Sequence, residues 1–214
     1  MTRLDLFCET QSSIPLGNSA VLLRGFALAH ISGLMKYLKD ISARAPFRNM
    51  IAPNGSAMSV LSTNCGSLGW VSDRNGYRYS PLDPLTASPW PAMPVFFSQF
   101  AADSAATAGH NNFKADACLI NKYVVGSKLS LHQDKNERNQ SLPVVSISLG
   151  MDATFLLGGT LRCHPVLRIR VCHGDVVILC GEDRMRYHGI LPICGPAHEL
   201  LGQQRISLNF RKAG

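Results

Sequence analysis

Three residues of this 214-residue chain have the types and spacing of a metal site: His132, Asp134 and His188. The run His132-Gln133-Asp134 reads as part of a strand, and alternate strand residues project to one side, so an imidazole and a carboxylate can reach one ion. Such a pair also recurs by chance on solvated loops. His188, at a strand end in Tyr187-His188-Gly189-Ile190, adds a third ligand. Two histidines and one carboxylate on one face, with coordination positions left open, form the arrangement of non-haem Fe(II) oxygenases. The five other histidines (30, 110, 164, 173 and 198) read as structural or exposed.

A second pattern is Arg205-Ile206-Ser207-Leu208-Asn209-Phe210-Arg211, which alternates polar and apolar residues with period two. On a strand, Arg205, Ser207, Asn209 and Arg211 share one face, and Ile206, Leu208 and Phe210 fill the opposite layer. An edge strand with a solvated face would show the same alternation. Against that, two arginines about 20 Å apart at Cα, at roughly 3.3 Å per residue, can lean their forks together and grip both ends of a small dicarboxylate. Beside the metal triad, this points to 2-oxoglutarate. A third region runs from Asn64 through Trp70 to Arg74, Tyr77, Arg78 and Tyr79, mixing aromatic and basic residues. It reads either as a lid whose rings stack on a base while its arginines meet phosphates, or as a loop over a Trp70 packing anchor.

These residues need elements to hold them. Apolar spacing predicts an amphipathic helix over 28–44 and a second helix starting near Pro91 to Pro94 and stopping at Gly109. From about Ala117 the chain reads as short strands over 118–125, 128–132, 144–149, 154–157, 166–172, 175–179 and 205–210, punctuated by glycine. Many short strands of this kind suggest a sandwich, jelly roll or barrel. Residues 54–91 show no periodicity and read as long loops or a hairpin, and loops of that length are usually functional.

Composition sets the outer limits. An apolar fraction of 46% excludes disorder, and a net charge of +7 favours polyanionic partners without naming one. No apolar run approaches the roughly 18–20 residues that span a bilayer, so no membrane is expected. The first nine residues lack the apolar segment and cleavage site of a signal peptide, which predicts a cytoplasmic protein. The seven cysteines are odd in number and form no C-x-x-C pair, which predicts reduced, mostly buried thiols. Nothing calls for a partner chain, so a monomer is expected.

Taken together, the chain resembles the bacterial AlkB family of DNA alkylation-repair dioxygenases. The resemblance runs from Leu4-Asp5-Leu6-Phe7 to the C-terminus through Ala45-Pro46-Phe47-Arg48, Thr63-Asn64-Cys65-Gly66 with Leu68-Gly69-Trp70, Tyr79-Ser80-Pro81 and Pro89-Trp90-Pro91-Ala92-Met93-Pro94. It continues through Asp116-Ala117-Cys118-Leu119-Ile120-Asn121, Lys128-Leu129-Ser130-Leu131-His132-Gln133-Asp134-Lys135, His173-Gly174-Asp175-Val176-Val177, Tyr187-His188-Gly189-Ile190 and Phe210-Arg211.

The resemblance implies an α+β, mainly β fold: one domain over 1–214, with helical support and a nucleotide-recognition lid in 1–116 and a double-stranded β-helix, or jelly roll, in 117–214. It implies Fe(II) on His132, Asp134 and His188, and 2-oxoglutarate held by Asn121, Tyr123, Arg205 and Arg211 with Ser207 and Asn209 lining the site. By the same carry-over, Trp70, Tyr77, Arg78, Tyr79, Asn136 and Arg162 meet nucleic acid, and Trp70 and His132 sandwich the flipped base. The implied reaction consumes O2 and 2-oxoglutarate, releases succinate, CO2 and formaldehyde, and demethylates 1-methyladenine- or 3-methylcytosine-type bases in single-stranded or damaged DNA. RNA or a protein side chain is the alternative substrate, and a non-catalytic damaged-nucleic-acid binding module the alternative class.

Three positions depart from the family. Asn136 stands where the family commonly has Asp, which removes a negative charge that would favour a cationic base. Ser207 and Asn209 stand where the closing strand usually has Asn and Thr; both can still hydrogen-bond carboxylate oxygens. Ser62 stands in place of a methionine.

Overall fold

A computed structural model describes residues 12–214. Cys8 and the resemblance at Leu4 to Phe7 lie outside the described residues. In chain order the elements are β1 (Ser13–Pro15), β2 (Val21–Leu23), α1 (Ile31–Arg44), β3 (Arg48–Ile51), β4 (Ala57–Gly66), β5 (Gly69–Asp73), β6 (Gly76–Ser80) and α2 (Val95–Thr107). Then come β7 (Ala117–Val124), β8 (Leu129–His132), β9 (Val144–Gly150), β10 (Ala153–Leu157), β11 (Leu167–Val171), β12 (Val176–Leu179), β13 (His188–Ile190) and β14 (Gln204–Arg211). No described helix is long and apolar enough to cross a membrane.

The strands form an eight-stranded sheet in the order β1-β2-β12-β9-β14-β7-β4-β3, a four-stranded sheet β11-β10-β13-β8, and the hairpin β5-β6. Period-two alternation explains the layering. On one face of the large sheet Cys118, Ile120, Val145, Ile147, Leu149, Val176, Ile178, Ile206, Leu208 and Phe210 pack with Leu34, Leu38 and Ile41 of α1 and Phe97 and Phe100 of α2. On the other face Tyr123, Val177 and Leu179 meet Phe155, Leu157 and Ile190 of the small sheet. Two facing antiparallel sheets backed by helices are the jelly roll the sequence predicts. The large sheet is covered on both faces, and β14 is a central strand between β7 and β9, not an edge.

Both predicted helices form, with Pro94 before the first turn of α2 and Gly109 at φ 82° just beyond its end. The reading of 54–91 is corrected: its centre is a hairpin, but its start is the ten-residue β4, paired with β7 inside the large sheet. The polar run Ser62-Thr63-Asn64 hid this strand, because all three side chains are buried and individually bonded. Ser62 donates to Asn121 Oδ1 at 2.8 Å, and Thr63 donates to the Ala45 carbonyl at 2.7 Å. Asn64 accepts from the Trp70 N–H and donates to the Trp70 carbonyl, both at 3.0 Å. Hydrogen bonds between β4 and β7 also cross the expected division at residue 116. The cysteine expectation needs correction too: among the described residues all are free, but Cys163 and Cys194 are exposed and Cys172 is half-buried, leaving Cys65, Cys118 and Cys180 buried.

The hairpin is held at its base. Asn64 satisfies both backbone groups of Trp70, and Trp90 packs with Val71 and Ala45 while donating its indole N–H to the Ser80 carbonyl at 3.1 Å. Gly69 permits this, since a Cβ there would lie 2.4 Å from Trp90 Nε1. Asn64→Ala strands two backbone groups of Trp70 and is expected to cost about 2–3 kcal/mol, read as a lowered urea midpoint with an unchanged m-value.

Candidate active site

His132 ends β8 and His188 begins β13, and the two residues are direct partners across the small sheet. Their ring centroids lie 4.4 Å apart. Gly189 makes this approach possible, because a Cβ there would sit 2.6 Å from the Leu129 carbonyl oxygen of the neighbouring strand. Asp134 is not on the strand as the alternation argument assumes; it lies two residues past the end of β8. Arginines place it there instead: Arg184 Nη1 donates to its backbone carbonyl at 2.7 Å, and Arg211 Nη2 and Nε donate to Oδ2 at 2.7 and 3.2 Å.

Each imidazole is fixed by its own strand. His132 Nδ1 lies 2.9 Å from the Ser130 carbonyl and His188 Nδ1 lies 3.0 Å from the Arg186 carbonyl. A carbonyl only accepts, so each Nδ1 carries a proton, and the neutral form of each ring has its lone pair on Nε2. Both Nε2 atoms sit 3.7 Å from the Asp134 carboxylate, and the three ligand atoms lie within 4.8 Å of one another. Burial, and then the neighbouring His132, push His188 down to about 4, so it is neutral near pH 7. Burial pushes the Asp134 carboxyl up, but Arg211, the two imidazoles and Arg184 outweigh it and hold it far below the usual carboxylate range. One carboxylate and two imidazole nitrogens suit a divalent ion of Fe(II) type.

A cavity of about 670 Å³ contains the triad. At one end Asn121, Tyr123, Arg205, Ser207, Asn209 and Arg211 line it together. Arg205 is buried, donates Nε to Ser148 at 3.0 Å and lies 5.0 Å over the Tyr123 ring, yet its Nη1 has no partner. An orphaned buried guanidinium nitrogen aimed into a cavity fits a carboxylate ligand. Asn121 presents a defined edge, since its Oδ1 accepts from Ser62, and the Tyr123 hydroxyl is within bonding reach of Arg205, Ser207 and Asn121. Asn209 is committed to the protein: Oδ1 accepts from Ser146 at 2.6 Å and Nδ2 donates to the Leu119 carbonyl at 2.9 Å.

At the other end, Trp70, Tyr77, Asn136 and Arg162 line the mouth. Trp70 and Tyr77 stack at 5.6 Å, and Arg162 lies 4.9 Å over the Tyr187 ring. Asn136 Oδ1 accepts from the Trp70 indole at 3.4 Å and its Nδ2 donates to the Tyr77 carbonyl at 3.5 Å. Two predicted residues are not brought to the cavity wall. Arg78 pairs with Asp73 across the hairpin at 2.7 Å, and the Tyr79 hydroxyl turns inward to Glu137. Sequence reasoning missed Ser146, Ser148, Glu137 and Arg184. Arg184, 1% exposed, sits in Asp183-Arg184-Met185-Arg186, which looks like an ordinary charged turn and carries no signal.

The sequence pattern of the 2OG-Fe(II) oxygenase superfamily matches residues 19–211. The chain belongs to this superfamily. Its relatives include the "Alpha-ketoglutarate-dependent dioxygenase AlkB" of Escherichia coli (strain K12), 48% identical over 212 residues, 99% of this chain and 98% of that protein. The "tRNA demethylase abh1" of Schizosaccharomyces pombe is 28% identical over 68% of this chain and 52% of its own length. The solved structure of OsALKBH1 superposes with a TM-score of 0.82 at 26% identity, covering 94% of this chain and all of that one. As a 2OG-Fe(II) oxygenase of the AlkB type, the protein uses Fe(II), 2-oxoglutarate and O2, and the His-Asp-His cluster is its one candidate metal group among the described residues.

Two outcomes follow. Gly189→Ala forces β13 away from β8 and is expected to lower Mn(II) affinity at least tenfold, measured by the resonance of the free ion, while far-ultraviolet circular dichroism persists. In the metal-free protein His188 has a folded value near 4 against about 6.5 unfolded. The unfolded state therefore binds more protons between those values, and stability falls as pH drops through that window. Urea midpoints from pH 7 to pH 4.5 should show that decline, and it should be shallower in His188→Gln.

Proposed function

We propose that this enzyme oxidatively demethylates N-alkylated bases of the 1-methyladenine and 3-methylcytosine type in single-stranded or damaged DNA, acting as a cytoplasmic monomer. The observation that carries the reading is the continuity of one cavity. Its lining joins Arg205 with its unpartnered guanidinium nitrogen, the His132, Asp134 and His188 triad, and the stacked Trp70 and Tyr77. A dicarboxylate at one end and a base at the other would both reach the triad.

In this reading Arg205 and Arg211 hold the two ends of 2-oxoglutarate, with Asn121 and Tyr123 donating to its oxygens. Fe(II) with 2-oxoglutarate and O2 supplies the oxidant. One oxygen atom of O2 enters the methyl C–H bond and the other enters succinate as CO2 leaves, and the resulting hydroxymethyl group departs as formaldehyde. The chain's own part is positioning and exclusion of water. Trp70 and His132 flank the base, Tyr77 backs Trp70, and Arg162 meets the surrounding strand. A lesion that blocks the Watson–Crick edge lowers the cost of extruding its base, because that base is already unpaired.

Asn136 shapes which lesion is preferred. Its amide offers both a donor and an acceptor at the mouth, whereas a carboxylate would add a charge that attracts a cationic base and could not donate to the Tyr77 carbonyl.

The test is aerobic incubation with Fe(II), 2-oxoglutarate and a short single-stranded DNA carrying one 1-methyladenine, followed by mass spectrometry. Loss of one methyl that depends on 2-oxoglutarate is expected. An unchanged oligonucleotide beside continued succinate formation would move the substrate elsewhere, and the matching RNA oligonucleotide would be the next substrate. In the same assay Asn136→Asp should raise kcat/KM for 1-methyladenine relative to a neutral methylated base by about three- to tenfold, at 1.4 kcal/mol per decade.

A further inference from the structure

Glu137 is 6% exposed and meets three groups that converge from different parts of the fold. Its Oε1 accepts from the Tyr79 hydroxyl at 2.7 Å and lies 3.3 Å from Arg211 Nε, while its Oε2 accepts from Arg184 Nη2 at 3.0 Å. Arg184 also donates to the Leu142 and Asp134 carbonyls, and Arg211 donates to the Asp134 carboxylate. Two carboxylates and two guanidinium groups thus form one buried network whose formal charges cancel. Balance of this kind matters because a charge left buried without its partner is strongly destabilising.

Tyr79 is the member that does not come from the jelly roll. It lies on β6, paired directly with Trp70 of β5. One face of the hairpin thus does two things: Trp70 and Tyr77 line the cavity mouth, and Tyr79, on the same face, reaches the ion network behind the metal ligand Asp134. Oε1 of Glu137 accepts the Tyr79 hydroxyl proton and lies beside the Arg211 charge, so the balance of its charge between Tyr79 and Arg211 is a single adjustable quantity. Withdrawal of the hydroxyl leaves the carboxylate free to pair more closely with Arg211. The Arg211 charge is then more fully neutralised within the protein and less available to a carboxylate in the cavity.

We propose that Tyr79 and Glu137 are positioning residues that act through Arg211, so that the hairpin bearing the base-stacking rings and the dicarboxylate co-substrate are energetically coupled. The inference rests on the reading that Arg211 meets 2-oxoglutarate. Linkage makes the coupling reciprocal: whatever nucleic acid does to co-substrate affinity, co-substrate does equally to nucleic-acid affinity. It also gives Tyr79 a task distinct from touching nucleic acid.

The experiment is calorimetric titration of 2-oxoglutarate into the Mn(II)-loaded protein, without oxygen, in the absence and presence of a saturating lesion-free single-stranded DNA. Tyr79→Phe removes only the hydroxyl. It is expected to weaken 2-oxoglutarate binding about three- to tenfold without nucleic acid, the size of one ordinary hydrogen bond, because the effect reaches the ligand only through Arg211. It should also bring the effect of the oligonucleotide on that affinity close to unity. Glu137→Gln leaves the hydroxyl in place and removes the charge it meets, and it should abolish the same coupling factor. Tyr79→Phe that binds 2-oxoglutarate like the wild type and loses only oligonucleotide affinity overturns the inference and leaves the proposed function standing. Retention of the wild-type coupling factor in Glu137→Gln also overturns it. Wild-type protein that fails to bind 2-oxoglutarate at all overturns both.

Discussion

The structure turns on the compensation of one buried carboxylate. Asp134 must stay ionised to serve a metal ion, yet it lies in the interior, where a lone charge is expensive. Arg211 and Arg184 resolve the conflict from opposite sides, one on its side chain and one on its backbone carbonyl. That requirement reaches outward. Arg211 must end the central strand of the large sheet, Arg184 must be buried in a turn between β12 and β13, and Glu137 must balance the second guanidinium. The residues that look catalytic in sequence are therefore supported by residues that look ordinary.

The same economy shows in β14. Its even-numbered side chains Ile206, Leu208 and Phe210 anchor the helices, and its odd-numbered side chains Arg205, Ser207, Asn209 and Arg211 line the cavity. One strand thus serves as core and as binding wall, and its hydrogen bonds to β7 and β9 fix the register of both roles at once. A slip of one residue would bury arginine among the helices and turn phenylalanine toward the cavity.

Much of this was legible in the sequence, for reasons that differ by residue. The β14 face assignments followed from period-two alternation alone, and the triad from ligand type and spacing together. Apolar spacing gave both helices. What was hidden had no periodic signal. β4 is polar where it is most buried, because Ser62, Thr63 and Asn64 bond to partners 59, 18 and 6 positions away. Arg184 resembles a surface residue because its partners, Asp134, Glu137 and Leu142, lie more than 40 positions upstream. Arg78 and Tyr79 read as nucleic-acid contacts by position, but Asp73 and Glu137 claim their polar ends, and side-chain direction at that level is set by tertiary contacts.

The imidazoles of His132 and His188 are each tethered to the carbonyl two residues earlier in the same chain segment. The ring orientation is thereby tied to the backbone. In zinc-finger domains the ion supplies the folding energy, whereas here hydrogen bonds within each strand segment also hold the two rings. The positions of both nitrogen ligands therefore follow the register of β8 against β13, and a shift of one strand past the other would carry an imidazole with it.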